Sequence, residues 1–85
     1  MTEVVLLTKD DCDLCEHAKA TLGRLEGEFT LDVVEVSLDS AQGAELARNA
    51  NAPFPPVVFV NGEAFSYGRL SERKLRKFLL AGKHD

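Results

Sequence analysis

Two cysteines three residues apart could carry redox chemistry. Cys12 and Cys15 are the only cysteines in the 85-residue sequence. On an α-helix, residues at this spacing have Cα atoms about 5 Å apart, as the rise and radius of the helix dictate. A disulfide bond tolerates Cα separations of about 4.4–6.8 Å. The pair could therefore alternate between a dithiol and a disulfide with little movement of the backbone.

The flanking residues predict that the cysteines lie where a strand leads into a helix. Residues 4–7 form an unbroken apolar run, which is typical of a buried strand in a parallel sheet, and the first strand is predicted over residues 3–8. After the pair, apolar residues recur every three or four positions and charged residues occupy the other face, as in an amphipathic helix. The cysteines are therefore expected at the N-terminus of this helix, with Asp11 as its N-cap.

The two thiols are expected to differ in reactivity because they lie at different positions at the N-terminus of the helix. Unpaired backbone N–H groups and the positive end of the helix dipole stabilise a thiolate at this position. Cys12, at the edge, is therefore predicted to attack a substrate disulfide. Cys15, one turn further in, is predicted to resolve the mixed disulfide and release the reduced substrate.

Other uses of the cysteine pair remain open. A zinc site would need further ligands, and the chain offers only His17 and His84 besides the pair. An ion pair with Asp13, one turn away, is the expected role of His17. Haem attachment requires a histidine directly after the second cysteine, where this chain has Glu16. An inert buried pair, a binding module without turnover and an iron–sulfur or metal carrier bridging two chains are further alternatives. No cofactor is expected.

Composition and charge limit the class of protein. The length and the 45% hydrophobic and 28% charged residues are typical of one globular domain, predicted over residues 1–85. A net charge of -4 argues against a nucleic-acid partner. The sequence has no apolar run of membrane-spanning length, and its first residues lead directly into a strand rather than a signal peptide. A cytoplasmic monomer without a membrane partner is expected.

The rest of the chain alternates strand and helix patterns. A strand is predicted over residues 29–38, at a sheet edge because Asp32 and Glu35 interrupt its apolar residues. A short helix is predicted over residues 41–50, capped by Asp39 or Ser40. Prolines break regular structure over residues 52–56, and the apolar run 57–60 predicts a buried strand that pairs through an Asn-Gly turn with residues 63–66.

A last helix, ending near Gly82, completes the pattern. Ser71 is its predicted cap, and Leu70 and Leu75 are placed to form a hydrophobic staple. Phe78 and Leu79 are expected to face the core together with Leu75.

The resulting order, β-α-β-α-β-β-α, resembles the glutaredoxins within the thioredoxin fold over residues 3–80. Two motifs carry the resemblance: Thr8-Lys9-x-x-Cys12-x-x-Cys15 and Pro56-Val57-Val58-Phe59-Val60-Asn61-Gly62. The resemblance implies an α/β fold with a four-stranded mixed sheet flanked by helices, and thiol-disulfide oxidoreductase activity. The short Cys-x-Leu-Cys form is similar to that of small bacterial glutaredoxin-like proteins.

The resemblance also implies a substrate-binding surface. Pro56 would be cis and face the cysteines, and Lys9 would lie near the bound thiol substrate. The other predicted substrate-binding residues are Asp13 and Leu14, between the cysteines, Pro55 and Arg69.

The chain departs from glutaredoxins where they bind glutathione. Asp13-Leu14 replaces the usual Pro-Tyr, and Pro55 has no N–H to offer the cysteine of glutathione. Residues 66–69 replace a Gly-Gly pair and the acidic residue after it. Residues 65–69 are instead similar to the Trp-Ser-x-x-Arg region of redoxins that serve ribonucleotide reductase and accept electrons from thioredoxin reductase. The expected partners are a disulfide-bearing protein or a glutathione mixed disulfide, with glutathione or thioredoxin reductase as electron donor.

Overall fold

The order of strands and helices agrees with the sequence prediction. The computed structural model describes residues 1–52 and 54–82, so Pro53 and residues 83–85, which include His84, lie outside the described residues. The elements are β1 (Thr2–Thr8), α1 (Asp13–Glu26), β2 (Leu31–Ser37), α2 (Ala41–Asn49), β3 (Val57–Val60), β4 (Glu63–Tyr67) and α3 (Glu72–Gly82).

The four strands form one mixed sheet in the order β2-β1-β3-β4. β1 pairs in parallel with β2 and antiparallel with β3, and β3 pairs antiparallel with β4. The parallel pair requires a crossover, which α1 supplies. β2 lies at an edge of the sheet, as its interspersed charges predicted. The predicted fold class is confirmed.

Side chains alternate along β1 between two cores, because successive residues of a strand point to opposite faces. Val4 and Leu6 pack with α1 and α3 in one core. Val5 and Leu7 lie on the opposite face, in a second core that includes residues of α2. The central strand thus joins both layers of helices, which explains its unbroken apolar run.

Helix α1 packs on the sheet through the predicted apolar face. Ala18, Leu22 and Leu25 are buried in the core that α1 shares with α3. Thr21 is also fully buried, and its hydroxyl donates to the carbonyl oxygen of His17 at 2.9 Å, so its polar group is satisfied. The helix ends at Glu26, with Gly27 as C-cap, as predicted.

Helix α2 approaches the end of β2 so closely that only glycine fits at position 43. A Cβ on Gly43 would overlap the backbone carbonyl of Ser37. Gly43 lowers intrinsic helix propensity. The hydroxyl of Ser40, which accepts the N–H of Gly43 at 3.0 Å, caps the helix and offsets part of that cost.

Two predictions about the remaining elements need correction. Phe78 does not face the core. It is 49% exposed, and the centroid of its ring lies 5.2 Å from that of the Phe65 ring on the edge strand β4. The second strand is shorter than residues 29–38, because the N–H of Phe29 still bonds to the carbonyl of Leu25 in the turn that ends α1. The predicted cap of α3 is confirmed: the Ser71 hydroxyl accepts the N–H of Lys74 at 3.2 Å.

Within the described residues, no helix combines the length and apolar character needed to cross a membrane.

Candidate active site

Cys12 is the N-cap of α1. Its backbone is extended, with φ -120° and ψ 106°, and its Sγ accepts the N–H of Cys15 at 3.2 Å. Its carbonyl accepts the N–H of Glu16 at 3.1 Å, which is the first hydrogen bond of the helix. The sulfur therefore occupies the place that a serine or aspartate oxygen takes in most capped helices, where a negative charge is favoured.

Asp11 is not the N-cap, so that prediction was wrong. Its φ of 53° lies in the left-handed region, whereas an N-cap residue is extended. Aspartate tolerates the left-handed region better than most residues. Asp11 thus turns the chain from β1 into the helix and leaves the cap to the cysteine.

The two thiols differ in exposure. Cys12 is partly exposed, whereas Cys15 is 1% exposed. Burial raises the pKa of the Cys15 thiol to about 11, and a hydrogen bond with Cys12 and the negative charge of Cys12 act in the same direction. A backbone hydrogen bond from Lys9 and the charge of Lys19 lower it. Cys15 is therefore a neutral, shielded thiol at pH 7.

The peptide bond between Pro55 and Pro56 is cis, as the resemblance implied. Pro56 is buried, and its carbonyl accepts the N–H of Gly68 at 2.8 Å. Because Val57 pairs with Leu7 in the antiparallel ladder, Pro56 and Thr8 lie at the same end of the sheet. The chain runs from this end to Cys12, so the cis-proline and the cysteines share one end of the molecule.

The other predicted binding residues are spread around this end. Lys9 and Asp13 are exposed, while Leu14 and Pro55 are partly buried. Arg69 is exposed and lines a groove of about 420 Å³ between β4 and α3, together with Lys74 and Phe78. The role of each of these residues in substrate binding stays a prediction.

A second cavity lies away from the predicted site. It has a volume of about 520 Å³ and is lined by Phe29, Asn61 and Phe78 among others. Asn61 follows β3 at the opposite end of the sheet from Cys12. Neither cysteine and none of the predicted binding residues lines it, so the chemistry of the site does not depend on this cavity.

An aromatic pair next to the cis-proline was not predicted. Phe54 and Tyr67 are 52% and 51% exposed, and their rings meet edge to face with centroids 5.4 Å apart. The Phe54 ring packs over Gly68, where a Cβ would lie 2.8 Å from it, and the φ of 75° at Gly68 also favours glycine. Only the pairing of β3 with β4 brings Tyr67 to Phe54, so local sequence carried little signal for this contact.

A polar cluster beside Cys15 was also missed. Lys19 contacts Glu35, and Glu35 accepts a hydrogen bond from Thr8. The available signals were the spacing of four residues between Cys15 and Lys19 and the charge at position 35 of an otherwise apolar strand. That charge was interpreted only as a mark of an edge strand.

His17 does not have the environment predicted for it. Its Nδ1 is shielded from solvent and has no hydrogen-bond partner, so the expected ion pair with Asp13 does not form through this nitrogen. Among residues 1–52 and 54–82, no three His, Cys, Asp or Glu side chains cluster closely enough to hold a metal ion.

The fold is thioredoxin-like, with a cysteine-capped helix after its first strand. A thioredoxin-like protein from Clostridium perfringens superposes with a TM-score of 0.76, at 16% identity over 95% of this chain and 70% of that one. A mutant thioredoxin from Halobacterium salinarum gives 0.69, at 19% identity over 94% and 73%. Oxidised mitochondrial thioredoxin 3 from Saccharomyces cerevisiae gives 0.68, at 15% identity over 94% and 77%.

A comparison of the sequence with known families gives a more specific assignment than the fold. Residues 3–80 match the family described as "Glutaredoxin-like domain (DUF836)", so the chain belongs to this glutaredoxin-like family. No curated protein matches the sequence significantly.

Proposed function

We propose that the protein is a thiol-disulfide oxidoreductase that works by dithiol exchange. The observation that carries the proposal is the arrangement at the start of α1. The Sγ of Cys12 lies at the N-cap, partly exposed, and accepts the N–H of Cys15 at 3.2 Å, while Cys15 is 1% exposed. One sulfur is thus available to a substrate and the other is kept behind it, as attack and resolution require.

The exchange has two steps. The Cys12 thiolate attacks one sulfur of the substrate disulfide, forms a mixed disulfide and releases the first substrate thiolate. Cys15 then loses its proton to solvent and attacks the Cys12 sulfur, so that the Cys12–Cys15 disulfide forms and the second substrate thiolate leaves. The substrate gains two electrons, both from the cysteine pair, and each released thiolate takes a proton from water.

The substrate class that we propose is a disulfide-bearing protein or a glutathione mixed disulfide. The aromatic side chains of Phe54 and Tyr67, exposed beside the cis-proline, support a polypeptide substrate, because such side chains contribute large contact areas at interfaces. We further propose that the protein acts as a monomer, without nucleic-acid or membrane partners, in the cytoplasm, where thiols are kept reduced.

Turnover with NADPH tests the proposal. Purified wild-type protein is given a disulfide substrate and either glutathione with glutathione reductase or thioredoxin reductase. We expect NADPH oxidation above background with at least one donor, and a fall to background in Cys12→Ser. The Lys77→Ser variant, which changes an exposed residue of α3, is the matched control and should retain wild-type turnover.

The two donor systems also identify the physiological reductant class. Because Pro55 cannot donate a backbone N–H, we expect thioredoxin reductase to support the faster reaction. If neither donor supports turnover of the wild type, or if Cys12→Ser retains it, the proposed function is wrong.

A further inference from the structure

Lys19 lies one helical turn after Cys15 on α1. Residues four apart on a helix share a face, with Cβ atoms about 5–6 Å apart. The ammonium of Lys19 is accordingly one of the groups that lower the pKa of the Cys15 thiol. Lys19 is thus a positively charged side chain on the same helix as the buried Cys15 sulfur, and its charge favours the thiolate form of Cys15.

Contacts from another element fix the position of this ammonium. The Lys19 Nζ lies 3.0 Å from Oε2 of Glu16 and 3.2 Å from Oε2 of Glu35 on β2. Glu35 is held in turn by the hydroxyl of Thr8, which donates to the same Oε2 at 2.8 Å. Thr8 is only 6% exposed, whereas the side chains of Lys19 and Glu35 are 41% and 47% exposed, so a buried hydroxyl anchors a partly solvated ion pair.

Three elements contribute to this arrangement. Thr8 ends β1, Lys19 belongs to α1, and Glu35 belongs to β2. Thr8 is followed in the sequence by Lys9, and the backbone of Lys9 lowers the pKa of the Cys15 thiol. The position of the Lys19 ammonium is therefore set by tertiary contacts as well as by its spacing from Cys15 on the helix.

The balance of charges around Cys15 changes when Cys12 binds a substrate. Two of the influences that raise the pKa of Cys15 come from Cys12, through its hydrogen bond and its negative charge. Both require a free Cys12 sulfur and are lost in the mixed disulfide. The backbone of Lys9 and the ammonium of Lys19 remain, so formation of the mixed disulfide favours ionisation of Cys15.

We propose that Lys19 is a positioning residue for the resolving step: its ammonium, held by Glu35, whose carboxylate Thr8 anchors, stabilises the Cys15 thiolate as that thiolate attacks Cys12. The inference rests on the proposed function, since it concerns the second half of that exchange. The Cys15 proton leaves to solvent, the Cys15–Cys12 bond forms, and the bond from Cys12 to the substrate sulfur breaks with release of a thiolate.

The two halves of the exchange can be observed separately with an aromatic disulfide, dithiobis(nitrobenzoic acid). At one equivalent of reagent, attack by Cys12 releases one coloured thiolate, and attack by Cys15 on the mixed disulfide releases a second. The first rate depends on reagent concentration, whereas the second is intramolecular and does not. Stopped-flow absorbance therefore reports on each cysteine in turn.

The Lys19→Gln variant should slow the second release about three- to tenfold at pH 7, because one nearby, partly screened charge is lost. The first release should change by less than about twofold, since Lys19 lies about two helical turns beyond Cys12. Lys19→Arg keeps the charge and should restore the second rate to within about twofold of wild type. Lys77→Gln, at an exposed position on α3, should leave both rates unchanged.

The pH profile separates this role from a purely structural one. Glu16, Glu35 and Cys12 are the other ionisable groups around Lys19 and Cys15. Hydrogen bonds to Glu16 and Glu35 raise the pKa of Lys19, and the hydrogen bond from Thr8 lowers that of Glu35, so both stay charged between pH 6 and pH 9. Over this range the second rate should rise with pH in both proteins, with the Lys19→Gln profile displaced to higher pH.

Failure of this inference differs from failure of the proposed function. If wild type shows both releases but Lys19→Gln leaves the second rate and its pH profile unchanged, the role of Lys19 is wrong and the exchange mechanism stands. If Lys19→Arg is as slow as Lys19→Gln, charge is not the cause and the inference is overturned. Absence of the first release in wild type would instead contradict the proposed function.

Discussion

The two halves of α1 carry ion pairs of the same kind beside different neighbours. In the N-terminal half, Lys19 joins Glu16 and Glu35 about one turn after the buried Cys15. At its C-terminal end, Arg24 lies 2.7 Å from Glu72 of α3. Arg76, also of α3, contacts both Glu72 at 3.0 Å and Glu28 in the loop after α1 at 2.6 Å.

The two clusters differ in the groups that lie beside them. The cluster at the C-terminal end cross-links α1, its following loop and α3, and it borders no reactive group. Its effect is on stability, and it is modest because its members, like those of the Lys19 cluster, are partly exposed to water and salt. The Lys19 cluster lies one turn from Cys15, a buried thiol whose ionisation would limit the resolving step of the exchange that we propose. Under that proposal, the same Coulomb interaction contributes to stability in one cluster and to reactivity in the other.

The strongest effect on the exchange should come from removal of the resolving thiol. Cys15→Ser should release one equivalent of coloured thiolate from dithiobis(nitrobenzoic acid) and then stop, because no second sulfur can resolve the mixed disulfide. Stopped-flow absorbance and the mass of the stalled adduct measure this outcome. Two equivalents released at the wild-type rate would show that resolution does not need Cys15.

A smaller effect is expected at the C-terminal end. Glu72→Gln removes the charge that both Arg24 and Arg76 contact, so the Tm should fall by about 2–4 °C. Both thiolate releases should stay at wild-type rates, the reverse of the Lys19→Gln result. Calorimetry and the two-step release, run on the same preparations, compare the two ends directly. A slowed second release in Glu72→Gln would mean that the ends are coupled.

The stabilising effect of the cluster at the C-terminal end should also depend on pH. Hydrogen bonds from Arg76 lower the pKa of Glu28, and those from Arg24 and Arg76 lower that of Glu72. A lowered folded-state pKa contributes stability above the unfolded value of about 4.3 and loses it as pH falls further. The Tm difference between wild type and Glu72→Gln should therefore be constant at neutral pH and shrink below about pH 4.

The ionisation of Cys15 should lower the stability of the fold at alkaline pH. Burial raises its pKa to about 11, above the unfolded value of about 8.5, so its neutral form stabilises the fold at lower pH. That stability should be lost as pH rises from about 8.5 to 11, and Cys15→Ser should not show the loss. Equal alkaline losses in wild type and Cys15→Ser would contradict this origin.

Much of this account could be predicted from local sequence. The apolar run of β1, the helical spacing after Cys15 and the Asn61-Gly62 turn each specify an element within a few residues. The charges of β2 correctly indicated an edge strand. The match of residues 3–80 to the glutaredoxin-like family confirms the class of protein that these elements and the cysteine spacing indicated.

The predictions that were wrong, and the contacts that were missed, depend on longer-range geometry. Asp11 is a better capping residue than cysteine by propensity, but the turn out of β1 requires a left-handed residue there, and the cap moves to Cys12. Phe78 has helical spacing from Leu75, yet the sheet ends at β4 and leaves it half exposed. The contact of Lys19 with Glu35 follows from the position of α1 on the sheet, which local sequence does not show.

In the proposed exchange, Cys12 is the accessible nucleophile and Cys15 is the shielded thiol behind it. The most direct test treats the reduced, folded protein with less than one equivalent of iodoacetamide at pH 7 and maps the label by mass spectrometry. Label found predominantly on Cys12 is the predicted result. Label found equally on both cysteines, or mainly on Cys15, would contradict the account.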